Sequence, residues 1–364
     1  MVSPRSLFSC VTNIVGCEAS ETIIPRSKCP EHNKQCSKSR VCSTISFYPI
    51  ILTISSIIAV HGLNPRSEND SDHAWNTWRK PPGPQGRLWL REDLPQYVPE
   101  TRIFLYEYNS TAVYGKDRDT FIGKANELLE AIRIERDGVE LRPILLLGHS
   151  MGGLLIKQAL INAHNNPKYT PIKDATSGLA FFATPHHGGD SMLVNLGGVV
   201  SKIAIALGFQ KGDDVLETLK NGSIFSDIMR EHWRHQLLEY DIISFWGALD
   251  NVKFESVMEL CVLIVGLQVV PRESARFGIP GDRENVVKLN ADHSGICKFG
   301  STVAEQDNFK LVKVNIRDIY KNALKKCESS IMPPSIINRE ETAEHEDNQN
   351  KLEARWLKLK GDRV

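Results

Sequence analysis

Gly148-His149-Ser150-Met151-Gly152 is the stretch whose residue types and spacing could do covalent chemistry. A serine with a glycine two positions away on each side has the form of a nucleophile elbow. There a hydroxyl is held out at the turn from a strand into a helix. The flanks supply that context: residues 144–147 are apolar, and Leu154, Leu155, Gln158 and Ile161 recur at helical spacing. The glycines remove Cβ atoms where the backbone doubles back, and the helix N-terminus aims N–H groups at the site. Ser150 is therefore the candidate nucleophile of an acyl-transfer reaction. The competing interpretation is a glycine-rich turn that only packs.

A serine hydroxyl attacks once a base takes its proton. In this architecture the partners follow in the order serine, acid, histidine. Of 11 histidines, His293 and His345 lie beyond every acid-bearing strand, and His345 sits in a charged tail. His293 follows a predicted strand in a turn-prone Asn-Ala-Asp-His-Ser context and is the candidate general base. His149 is expected to point away from Ser150, and His186 and His187 suit a loop lining the pocket. The acid that holds the imidazole is Asp250, just past a strand, with Glu273 as the rival. Asp292 adjoins the base, but a sequence neighbour rarely reaches the ring nitrogen. An early strand at residues 57–60 ends in His61-Gly62-Leu63, where such sheets place half of an oxyanion hole. The expected donors are the backbone N–H groups of Leu63 and Met151, with His61 shaping the loop.

The elements that must position these residues alternate. Strands are predicted at 102–108, 144–147, 178–183, 242–246 and 286–289, and helices at 89–94, 121–132 and 307–324. This predicts an α/β fold with a mostly parallel central sheet, helices on both faces, and ligands at the carboxyl ends of the strands. Residues 190–240 are helical and interrupt the alternation, which suits a lid-like insertion or two ordinary packing helices. Residues 1–44 lack periodicity and read as poorly ordered, 45–322 as the catalytic domain, and 323–364 as a charged, solvated tail.

Bulk properties narrow the partners. The 364 residues carry 44 basic and 44 acidic side chains, which argues against a nucleic acid bound through bulk charge. Eight cysteines without a C-x-x-C pair argue against a structural zinc site and read as free thiols in a reducing, intracellular compartment. No cofactor or metal is expected. The first acid is Glu18, a weak mark of an organelle-targeting leader, while a secretory signal lacks its basic start. The uncharged stretch 45–60 is shorter than the ~20 residues of a membrane-spanning helix. A membrane anchor there is the weakest of three functional readings.

Taken together, the motifs AVHGLNP (59–65), WLREDLP (89–95), GHSMGGLLIKQAL (148–160), FFATPHHGG (181–189), VVPRESARFG (269–278) and NADHSGICKF (290–299) resemble a known group. The chain is similar to fungal α/β-hydrolases of the serine esterase, lipase-like kind. These include the "serine active site containing" proteins, GPI inositol-deacylases and the hydrolase domain that heads fungal NACHT-type receptors. The resemblance implies a Ser-Asp/Glu-His triad, an ester or lipid substrate, and peripheral contact with mitochondrial or ER membranes. One departure stands out: the acid turn should run directly into the VVP strand, yet residues 252–268 intervene. Such an insertion could displace Asp250 from His293. The leading expectation is thus a carboxylic ester hydrolase, and the alternative is a hydrolase-shaped signalling or lipid-trafficking module without turnover.

Overall fold

The computed structural model describes residues 8–10, 55–64, 70–114, 118–186, 201, 203–205, 207–210, 213–221, 236, 239–247, 275 and 284–331. The strands are β1 (Phe8–Cys10), β2 (Ser56–Val60), β3 (Arg79–Lys80), β4 (Arg87–Leu88), β5 (Arg102–Tyr106), β6 (Ile144–His149), β7 (Thr176–Phe182), β8 (Asp241–Gly247) and β9 (Glu284–Leu289). The helices are α1 (Asp70–Asn76), α2 (Trp89–Glu92), α3 (Ser110–Tyr114), α4 (Arg118–Glu135), α5 (Gly152–Asn165), α6 (Thr170–Ala175), α7 (Asp214–Asn221) and α8 (Val303–Ile331). Seven strands form one sheet in the order β1-β5-β2-β6-β7-β8-β9, while β3 and β4 make a separate hairpin. Every neighbouring pair in the large sheet is parallel except β1 with β5.

Burial on both faces explains why these strands read as unbroken apolar runs. In β2, Ile58 and Val60 face one core, with Phe104, Leu146 and the buried sides of α4 and α5. Ile57 and Ala59 face the other, with Ile103, Leu145, Leu147, Trp89 and α8. The two-residue period of a strand thus feeds two cores at once. On α4 the inward face is Phe121, Ala125, Leu128, Leu129 and Ile132, the predicted set. On α8 it is Val312, Ile316, Ile319, Tyr320 and Ala323. Burying each large side chain is worth about 1.5–3 kcal/mol, so two such faces fix the sheet firmly.

The strand order, the parallel pairing and a strand-turn-helix at the middle of the sheet make this an α/β-hydrolase fold. Three local expectations are corrected. Residues 8–10, in the stretch read as poorly ordered, form edge strand β1. Edge pairing uses backbone groups and leaves no side-chain pattern to detect. The strand expected at residues 57–60, in the run also weighed as a membrane anchor, is found as β2, paired on both sides by β5 and β6. Among the described residues no helix is long and apolar enough to cross a membrane. The predicted helix at 89–94 ends at Glu92 and gives way to a 3₁₀ turn over Leu94–Gln96, in which Pro95 takes an early position. Finally, α8 runs to Ile331, past the predicted end at Leu324 and into the stretch read as tail.

Of the lid-like segment, the described part includes α7. Ile203, Ala204, Phe209 and Val215 pack into the same core as Met151 and Tyr114. Cys297 is buried and Cys327 half-buried, and both are free. The segment 252–268, the positions Asp250, Glu273, His187 and His345, and the tail beyond Ile331 lie outside the described residues.

Candidate active site

β6 delivers the chain to Ser150, which adopts φ 52°. That left-handed conformation costs a non-glycine residue about 1–3 kcal/mol and persists only where neighbours enforce it. Two backbone bonds do so here. The Ser150 N–H donates to the Phe182 carbonyl at 2.8 Å, and the Gly153 N–H donates to the Ser150 carbonyl at 3.2 Å. Gly152 then opens α5, and a Cβ there would stand 2.2 Å from the His61 carbonyl oxygen. The elbow can therefore press against the loop after β2 only with glycine at this position.

His293 reaches the same point from the loop after β9, with its Nε2 2.9 Å from Ser150 Oγ. An unprotonated Nε2 accepts the serine proton at that distance. Burial pushes the imidazole down to about 4, against a smaller opposing pull from Asp292. The base is thereby neutral across the physiological range. Three contacts seat its loop. Asn290 N–H donates to Asn308 Oδ1 at 2.9 Å, and Asn308 Nδ2 returns a bond to the Asn290 carbonyl at 3.0 Å. Trp89 Nε1 donates to the Cys297 carbonyl at 2.9 Å.

The third contact site in the elbow is one that sequence reasoning missed. His149 does not simply turn away from the chemistry: its Nε2 lies 2.9 Å from the His293 carbonyl oxygen. A carbonyl only accepts, so this nitrogen carries the proton. The two rings are 5.3 Å apart. Burial, and then the neighbouring His293, hold the His149 imidazole well below its usual range. The residue beside Ser150 thus anchors the backbone of His293. Nothing in the local pattern signals it, because the partner is 144 residues away.

The loop after β2 lies against the elbow, where a Cβ on Gly62 would sit 2.9 Å from Ser150 Cβ and 3.4 Å from the Met151 nitrogen. Leu63 and Met151 are both buried. His61 is buried and stacks on Tyr108 at 4.3 Å. Its Nδ1 is 2.9 Å from the Gly62 carbonyl, while the Tyr108 N–H donates to its Nε2 at 3.4 Å. These partners fix a neutral ring with the proton on Nδ1. The Gly62 carbonyl and the Leu63 N–H belong to one planar trans peptide, so drawing the carbonyl toward His61 turns the N–H the opposite way.

Both candidate acids, Asp250 and Glu273, lie outside the described residues. His293 Nδ1 is buried and has no hydrogen-bond partner among them. Asp292 directs a carboxylate oxygen to the Gly295 N–H at 2.5 Å instead. The chain leaves β8 at Gly247 against the His293 loop, with a Cβ there only 2.5 Å from the Ala291 oxygen. His186 is buried against Phe181, with ring centroids 4.9 Å apart. Among the described residues no group of His, Cys, Asp and Glu could hold a metal ion.

No protein-family model matches the chain. Protein SERAC1 of Homo sapiens is 26% identical over 264 residues, covering 67% of this chain and 36% of that protein. Protein SERAC1 of Mus musculus is 28% identical over 236 residues, covering 63% and 31%. The chain therefore spans about a third of the length of these curated relatives. Among solved structures, the lipase BlEst2 of Bacillus licheniformis aligns with a TM-score of 0.42 at 16% identity, over 72% of this chain and 91% of that one. A monoacylglycerol lipase of Paleococcus ferrophilus aligns with a TM-score of 0.35 at 12% identity, over 72% and 93%. Identity this low says nothing of substrate, and those activities stay with those proteins.

Proposed function

We propose that this chain is a serine hydrolase that cleaves carboxylic esters, with lipid esters as the substrate class. The observation that carries the proposal is the 2.9 Å approach of His293 Nε2 to Ser150 Oγ at a left-handed elbow. In the first step Ser150 Oγ bonds to the ester carbonyl carbon while its proton passes to His293 Nε2. The negative oxygen so formed takes hydrogen bonds from the Leu63 and Met151 amides. Each such donor is worth about 3–4 kcal/mol in the transition state. The C–O bond to the alcohol then breaks as His293 returns the proton to the leaving oxygen. Water, deprotonated by the same imidazole, releases the acid and restores Ser150. Asp250 is the carboxylate proposed to hold His293 Nδ1, with Glu273 as the alternative.

The ester or lipid substrate class comes from the motifs that resemble lipase-like serine esterases. Fungal kinship, peripheral membrane contact and a lid role for 190–240 belong to the same proposal. The test is labelling with a fluorophosphonate probe beside hydrolysis of a chain-length series of esters. Ser150→Ala should abolish labelling and lower kcat about a thousandfold or more. A loss under tenfold would refute the proposal.

A second reading, a hydrolase-shaped module without turnover, rests on the sequence feature that residues 252–268 separate the Asp250 turn from the VVP motif. It predicts that wild-type Ser150 does not react with the probe and that Asp250→Asn changes nothing.

A further inference from the structure

Behind the elbow and the Gly62 loop stand two buried tyrosines that the chemistry above does not use. Tyr108 follows β5 and Tyr114 ends α3, and their exposures are 3% and 0%. The Tyr108 hydroxyl donates to the His61 carbonyl at 2.8 Å. The Tyr114 hydroxyl donates to the Met151 carbonyl at 2.6 Å. The two hydroxyl oxygens are 3.4 Å apart. A phenol has one proton to give, and here each is taken by a backbone carbonyl. The two oxygens are then only in contact, and each tyrosine ties its own backbone segment to residues 108–114.

Those two segments hold the two oxyanion donors. His61 directly precedes the Gly62–Leu63 peptide, and Met151 is itself a donor residue. Ser110, from the same stretch as the tyrosines, secures the far side of Leu63. Its Oγ accepts the Asn64 N–H at 2.9 Å and donates to Asn64 Oδ1 at 2.9 Å. Residues 108–114 thus grip the loop on both sides of Leu63 and grip the elbow at Met151. Phenylalanine would fill the same space, and only the hydroxyls reach the carbonyls. Burial pushes the Tyr114 phenol up, so it remains a donor at any working pH.

We propose that Tyr108 and Tyr114 are positioning residues that set the separation and aim of the Leu63 and Met151 amides, a role that rests on the serine hydrolase reading above. The full chain would be compared with Tyr108→Phe, Tyr114→Phe and the double variant. The assays are hydrolysis of p-nitrophenyl esters, inhibition by a trifluoromethyl ketone and fluorophosphonate labelling. The ketone forms a tetrahedral oxyanion on the serine and so reports the donors directly. Each single variant should lower kcat about tenfold and weaken the ketone in step, with KM within about twofold and the thermal midpoint within about 3 °C. The double variant should lose less than the product of the singles, because releasing either segment already disturbs the one donor separation that both hydroxyls hold. Single variants with kcat within twofold of wild type, or with ketone affinity unchanged, would overturn the proposal while leaving the hydrolase reading intact. A wild-type protein that neither labels nor hydrolyses would remove the hydrolase reading, and this role with it.

Discussion

Acidification from pH 7 to pH 4 should weaken the fold through His293 in particular wherever no carboxylate holds its Nδ1. An unfolded histidine titrates at 6.5, whereas burial brings the folded His293 down to about 4. Between those values the unfolded chain takes up a proton that the folded chain refuses, so stability falls across that window and is level on either side of it. At about 1.4 kcal/mol per pH unit the full difference is about 3 kcal/mol. Water at the partly exposed edge of the ring trims this to about 2–3 kcal/mol. His149 faces the same ring and shifts in the same direction, so the total acid loss belongs to both. A His293→Gln variant separates them. Urea unfolding followed by tryptophan fluorescence at steps from pH 7.5 to 4 should give wild-type and variant curves whose difference opens only below pH 6.5. Curves that stay parallel within about 0.5 kcal/mol would refute the buried, neutral base. The kinetic counterpart is an acid limb of kcat/KM near pH 4. Asp250 at Nδ1, as proposed above, would raise the imidazole and move the limb to 6.5 or above, so a limb near 4 would count against that carboxylate.

Two further substitutions test how the site is held together. Gly62→Ala puts a methyl 2.9 Å from Ser150 Cβ and 3.1 Å from the His149 carbonyl oxygen, so the loop must retreat from the elbow. Stability should drop by about 1–3 kcal/mol and kcat by about tenfold or more, as read by denaturation and ester hydrolysis. His149→Phe removes the donor to the His293 carbonyl and leaves that carbonyl without its bond. It should cost about 1–3 kcal/mol and reduce kcat, and His149→Gln, which retains an N–H donor, should recover part of both.

What could be read in advance follows from the range over which each signal acts. The elbow was legible because strand, glycine turn and helix are contiguous, and their periodicities change at Ser150 itself. His293 was legible because chain order acts as a filter: a parallel sheet places successive strand ends along one rim, and a histidine after β9 can meet a serine after β6 there. His149, Tyr108 and Tyr114 were not legible in their roles. Each acts through a backbone carbonyl on another segment, and a carbonyl carries no side-chain identity for a pattern to detect. The same reasoning covers β1, whose pairing is backbone alone. It also covers the far end of α8, where exposed polar residues prolong a helix beyond its apolar stripe. The side chains proposed to make bonds are therefore announced by residue type, whereas those proposed to aim them are announced only by the fold. The hydrogen-bond donors facing backbone carbonyls next to the elbow are accordingly where substitutions separate rate from stability.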